Sequence, residues 1–279
     1  MNEVRSINKI ITGMNTVDGA GVKLVRVIGF HDTKEFDPFL MLDAFDSHNP
    51  EDYVKGFPWH PHRGIETITY LIKGDIEHRD SLGNKGSILD GQCQWMTAGS
   101  GIIHQEMPQP SERMLGVQLW LNLPAKDKMT APKYRSITMK DIPVIEEKGS
   151  RIHIISGQYK DFKGAFFGDY VKALYMDVEL EPGAEIIMDT KAEDTLFVYI
   201  VEGEAFFGAK EELVKEKHAI LFNQGDKFYA KGSGGGIRFL LMSGKPLKEP
   251  VAWGGPIVMN TKEELEIAFK ELDENTFIK

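Results

Sequence analysis

The 279-residue chain has a single cysteine, Cys93. One thiol excludes an internal disulfide framework and any thiolate zinc cluster, and it fits a reducing compartment. Long hydrophobic runs are missing as well. Leu196–Val201 is among the longest, far below the ~20 apolar residues that span a bilayer. Met1 to Ile11 intersperses Glu3, Arg5 and Lys9 among apolar residues, which leaves no continuous secretory core. Positive charge is in deficit, with 33 Lys and Arg against 42 Asp and Glu, and no three basic residues are consecutive. A net charge of -9 repels phosphate backbones. These absences point to a cytoplasmic protein with no membrane span and no direct nucleic-acid partner.

What remains is an ordinary globular composition, 42% hydrophobic and 27% charged, on a chain long enough for two cores. Strand signals run from Val22 to Met259. Thr67–Ile72, Val117–Leu121 and Leu196–Val201 are short and rich in β-branched and aromatic residues. Helical periodicity is convincing only near the end, where Leu265, Ala268, Phe269 and Leu272 form one stripe and Thr261 or Asn260 can cap it. The pattern lapses into prolines and charges between Leu123 and Lys148. The predicted division is therefore an N-terminal metal-binding domain 1–133, a linker 134–147, a C-terminal barrel 148–258 and a helical tail 259–279. Tyr70-Leu-Ile-Lys-Gly-Asp-Ile76 reads like Tyr199-Ile-Val-Glu-Gly-Glu-Ala205, which supports duplication of an all-β unit. Gly232–Gly236 is followed by no helical pattern and is expected as a hairpin loop, not a phosphate loop.

Three of the eight histidines fall in two tight clusters. A strand through His60-Pro-His-Arg-Gly-Ile-Glu66 would put residues 60, 62, 64 and 66 on one face. His104-Gln-Glu106 repeats the device about 40 residues later. If the strands meet in a barrel, three imidazoles and a carboxylate converge, a set that suits one divalent Fe, Mn, Ni, Cu or Zn ion. His78 is expected as a solvated hairpin residue. His31, His48, His153 and His218 have no paired partner and read as structural.

The segments His60-Pro-His-Arg-Gly-Ile-Glu-Thr67 and Gln94-Trp-Met-Thr-Ala-Gly-Ser-Gly-Ile-Ile-His-Gln-Glu-Met-Pro108 resemble the pirin family of the cupin superfamily. Asp37-Pro-Phe-Leu-Met-Leu-Asp43, Gly244–Val251 and Gly255–Thr261 extend the resemblance over almost the whole chain. It implies a bicupin: two antiparallel β-barrels of double-stranded β-helix type, packed together and followed by a short C-terminal helix. By position His60, His62, His104 and Glu106 take the family's four ligand places, and the family's usual metal is iron. Glu66 stands at the ligand place of the general cupin pattern. Gly99 stands where that pattern has proline, and no asparagine follows His104 at the expected place; pirins share both departures.

The resemblance further implies quercetinase activity, the dioxygenolytic opening of a flavonol ring with loss of carbon monoxide, so the small partners would be a flavonol and dioxygen. A metal in a dry barrel lowers the pKa of the 3-hydroxyl, and an adjacent carboxylate, first Glu106 and second Glu66, takes the proton. Asp43, Phe57, Arg63, Glu66, Trp95 and Gln118 flank the ligand motifs and are the candidate pocket residues. By strand parity Gln118 and Trp120 share one face. The alternative reading is a metal-dependent regulator that binds a protein partner as a transcriptional cofactor. In the second half, the positions matching His60, His62 and Glu66 are Asp189, Lys191 and Thr195, which predicts a structural barrel without metal.

Overall fold

The computed structural model of the protein describes residues 3–279. Residues 1 and 2, where the expected first domain begins, lie outside the described residues. Strands dominate and pair antiparallel, and among the described residues no helix is long and apolar enough to cross a membrane. The chain forms two compact units, but not as contiguous halves. One comprises Met14–Lys34, Pro38–Met139 and Leu247–Lys279; the other comprises Met1–Gly13, Glu35–Asp37 and Lys140–Pro246. This differs from the contiguous division drawn from composition, and strand pairing is the reason. Ile7–Thr12 adds to the edge strand His218–Phe222 of the second half. The segment expected as a linker carries two short strands, Lys133–Ile137 pairing with Gln92–Thr97 and Val144–Glu147 pairing with Ser150–Ser156.

In the unit holding the histidine clusters, a seven-stranded sheet runs in the order Lys133–Ile137, Gln92–Thr97, Ile65–Lys73, Met114–Asn122, Phe39–Ser47, Val22–Ile28, Met14–Asp18. A four-stranded sheet has the order Phe57–His62, Ile102–Pro108, Asp75–Asp80, Lys85–Leu89. Alternation splits the buried Ile65–Lys73 strand into two characters. Ile68 and Tyr70 share a face with Leu119, Val117 and Leu42, whereas Thr67 and Thr69 share the other with Trp120 and Gln118. Gly64, at φ +77, breaks the chain between the sheets, so the period-two pattern from His60 does not continue through Glu66. The tail is the helix Lys262–Asp273, opened by a capping box in which the Thr261 hydroxyl accepts from Glu264 N and Glu264 reaches back to Thr261 N.

The other unit is built on a sheet ordered Ile7–Thr12, His218–Phe222, Thr195–Phe207, Lys227–Gly244, Leu174–Leu180, Ser150–Ser156, Val144–Glu147. Its core is apolar, with Phe207, Phe222, Phe228 and Phe239 in mutual ring contact. Gly232–Gly236 is not a hairpin loop but part of the 18-residue strand Lys227–Gly244, which bulges as it pairs with Thr195–Phe207. Only some of these glycines serve close backbone approach: a Cβ on Gly232 would lie 2.5 Å from the Glu181 carbonyl, whereas one on Gly234 would meet nothing within 4 Å. Gly232→Ala should therefore destabilise this unit by about 1–3 kcal/mol, the cost of overpacking. Gly234→Ala should be neutral or slightly stabilising in the same urea titration. Equal effects at both positions would contradict the bulged-strand packing.

Candidate metal centre

The centre forms where two strands of the smaller sheet pair. His60 and His104 are direct cross-strand partners, and His62, two residues along, shares the face of His60. Ring centroids lie 4.4 Å apart for His60 and His104, 4.8 Å for His60 and His62, and 5.1 Å for His62 and His104. One ring nitrogen from each can be chosen so that all three lie within 4.8 Å of one another, and no other such trio of His, Cys, Asp or Glu is found among the described residues.

Hydrogen bonding has already oriented two of the rings. His60 Nδ1 lies 2.8 Å from the Pro58 carbonyl and His62 Nδ1 lies 3.0 Å from the Pro256 carbonyl. A carbonyl only accepts, so each Nδ1 carries the proton and each Nε2 presents its lone pair. Both nitrogens of His104 are buried with no hydrogen-bond partner among the described residues. Burial, reinforced by repulsion from His60, pushes the His62 imidazolium down to about 3. Burial and the neighbouring His62, His60 and His78 hold His104 well below the ordinary histidine range. Three converging imidazoles, two with Nδ1 committed to carbonyls and one with both nitrogens unsatisfied, offer the lone pairs a divalent cation requires, so the residues fit a metal.

Glu106 lies just outside this trio. Across a register shift after His104, the backbone of Glu106 pairs with Phe57 on one neighbouring strand and with His78 on the other. Oε1 accepts from the Thr69 hydroxyl at 3.0 Å, Oε2 lies 3.4 Å from Gln118 Nε2, and the Thr69 hydroxyl also contacts Gln118 Oε1. Burial pushes the carboxyl up, against the pull of His60, Thr69 and Gln118. Thr69 and Gln118 belong to a polar row across six strands: Arg26, Asp43, Gln118, Thr69, Gln94 and Ser136 are successive cross-strand neighbours. Within it Arg26 pairs with Asp43 through Nε at 2.9 Å and Nη2 at 2.7 Å. Asp43 and Gln118 were visible as candidates. Thr69 was not, although a threonine pair in an apolar strand was a usable signal.

Other expectations change. His78 is not solvated: it is buried, pairs across strands with Glu106, stacks on Tyr134 and contacts its hydroxyl. Its hairpin position suggested exposure, but the partner strand carries the ligands. Glu66 shares the face of Ile68 and Trp95 and accepts from the Thr97 hydroxyl at 2.7 Å. Trp95 lies on that same face, opposite Gln94 and Gln118, while Trp120 packs edge-on against His62 at 5.0 Å. Arg63 is buried and engages Ser100, Phe277 and Glu271. Phe57 stands 6.4 Å from His60, ring to ring.

Comparison with known proteins identifies the family and the fold. Residues 21–121 match the family described as Pirin, and residues 175–278 match that described as Pirin C-terminal cupin domain. A Pirin-like protein of Caulobacter vibrioides is 40% identical over 277 residues, covering 98% of this chain and 99% of that protein. Pirin of Homo sapiens is 35% identical, covering 96% and 92%. The crystal structure of quercetin 2,3-dioxygenase from Acinetobacter baumannii matches with a TM-score of 0.89 at 32% identity, covering 98% of each chain. Two cupin-type domains with a short C-terminal helix are the fold that the sequence predicts.

The depressed His62 carries a pH signature. Between about 6.5 and 3 the unfolded chain binds a proton at this residue that the metal-free folded chain does not. Stability from this residue is complete above about pH 6.5 and is lost as pH falls toward 3. Urea unfolding in a chelator should show a loss of roughly 2–3 kcal/mol from His62 between pH 7.5 and 4.5. His62→Gln should show a correspondingly shallower slope, and identical slopes would refute the assignment.

Proposed function

The chain belongs to the pirin family, and we propose that it is a metal-dependent dioxygenase that opens the ring of quercetin-like flavonols with release of carbon monoxide. The observation that carries this reading is His104, buried with both ring nitrogens unsatisfied between two imidazoles already turned inward by backbone carbonyls. His60, His62 and His104 would hold one divalent ion, with Glu106 as the fourth ligand and iron as the metal we assign. The similarity to quercetin 2,3-dioxygenase of Acinetobacter baumannii supports the substrate class.

When bound, the metal supplies Lewis acidity that lowers the pKa of the flavonol 3-hydroxyl. The chain's own residues then divide the remaining work. Glu106 accepts the hydroxyl proton; its burial raises the affinity of the carboxylate for that proton. Thr69 and Gln118 hold the carboxylate toward the imidazoles, so transfer needs no search for geometry. Trp120 packs on the buried His62 ring and helps keep water from it, while Phe57 flanks the half-buried His60. Glu66, engaged by Thr97 on the opposite face of its strand, supports the sheet rather than the reaction.

Oxygen uptake with quercetin, measured after loading metal-free protein with Fe(II), tests the reading. Glu106→Gln should lower turnover by ~10²-fold or more and weaken metal binding, because an amide is no base and a poor ligand. Glu66→Gln should retain metal and turnover. The reverse pattern would return the ligand place to Glu66. Metal-loaded protein that consumes no oxygen with any flavonol would favour the alternative, a metal-dependent regulator that binds a protein partner.

A further inference from the structure

Three consecutive residues at the end of a ligand-bearing strand grip the C-terminal segment. His62 Nδ1 donates to the Pro256 carbonyl at 3.0 Å. The Arg63 carbonyl accepts from Val258 N at 3.1 Å, and Arg63 bridges Ile257 in parallel. Gly64 passes so close to the Val258 carbonyl that a Cβ there would lie 2.0 Å from its oxygen. Two buried basic side chains, Arg63 and Lys128, weld this contact. The Arg63 guanidinium donates to the Ser100 carbonyl at 2.7 Å and the Phe277 carbonyl at 2.9 Å, pairs with Glu271 at 2.7 Å, and lies over the Phe277 ring. Lys128 Nζ uses all three protons, on the Gly64 carbonyl at 2.8 Å, Asn122 Oδ1 at 2.5 Å and the Val258 carbonyl at 2.8 Å. From the same segment Trp253 packs on Trp120, which itself packs on His62.

We propose that the C-terminal segment Trp253–Phe277 is a positioning element of the metal centre, its Pro256 carbonyl setting the tautomer and ring angle of His62. The inference rests on the three-histidine site described above. The acceptor at Nδ1 commits the proton there and leaves the Nε2 lone pair to the ion. The clamps at Arg63 and Lys128 in turn fix Pro256. If the segment lifts, Nδ1 loses its acceptor, the two tautomers mix and the ring is free to turn. Docking of the segment and binding of metal are therefore one coupled equilibrium, and the coupling acts equally in both directions. A helix and strand distant in sequence from the ligands thus tune metal affinity without touching the ion.

The test uses the full chain and Co(II), whose ligand-field absorption reports the ligand set. Glu271→Gln frees one side of the Arg63 clamp, and Pro256→Gly loosens the carbonyl without deleting it. Each should weaken Co(II) binding by roughly tenfold, the usual scale for a lost partner of a ligating histidine. Pro256→Ala should retain affinity close to that of the parent. In the parent protein, Co(II) should slow amide hydrogen exchange across residues 256–277. Parent-like affinity in variants whose segment exchanges faster would overturn the proposal. So would exchange in 256–277 that ignores Co(II) while the metal is bound. If a variant fails to fold, the exchange measurement on the parent still decides. A parent chain that takes up no Co(II) would instead remove the three-histidine site, a failure distinct from that of the coupling.

Discussion

A buried imidazole with neither nitrogen satisfied is the constraint on which the rest of this unit depends. Leaving one polar group buried without a partner costs about 1–3 kcal/mol, and His104 carries two such atoms in one ring. The surroundings do not relieve that cost. His60 and His62 turn their free lone pairs toward the same space, since their other nitrogens are committed to carbonyls. The low proton affinity of His62 follows from burial and from repulsion by His60, and that of His104 from burial and from His62, His60 and His78. An ion with vacant coordination positions would turn three unfavourable groups into ligands, and its binding energy would become folding energy.

Two sheets divide the labour around that point. The small sheet supplies the imidazoles and Glu106 from paired strands, whose register places His60 opposite His104. The larger sheet supplies the polar row that begins at the Arg26–Asp43 pair, and its middle members Thr69 and Gln118 contact Glu106. Burial raises Asp43 even beside the half-buried Arg26 guanidinium. Thr69, Gln118 and Glu106 contact one another within this arrangement, so each loses a partner if another turns.

The second unit spends the same kind of architecture differently. Its core holds four phenylalanines in edge and tilted contact. Of the residues matched to His60, His62 and Glu66, Asp189 pairs with Lys227 at 3.1 Å, and Thr195 donates to the Asp37 carbonyl at 2.5 Å. The repeated Gly marks strand continuation differently in the two halves. Gly74 ends one strand and begins another in a different sheet, whereas Gly203 sits inside the continuous strand Thr195–Phe207.

Local periodicity was sufficient for the three histidines, because alternation over two residues holds wherever a strand forms, and for the terminal helix, whose Thr261 and Glu264 cap it within one turn. The all-β class was equally legible, since β-branched and aromatic runs between Gly and Pro carry it residue by residue. The long motifs around His60 and His104 also sufficed to identify the family. Pairing between distant strands was not legible. The break at Gly64 moved Glu66 to the opposite face, and the register moved Gln94 rather than Trp95 toward the centre. His78 became a buried neighbour of Glu106, and Pro256 became the acceptor for His62 across 194 residues. Sequence determined which side chains could bind a cation, because donor chemistry and period-two spacing are properties of neighbouring residues. Only the tertiary structure decided which of them meet and what holds them, because register, sheet assignment and the docking of the C-terminal segment depend on contacts between residues far apart in the chain.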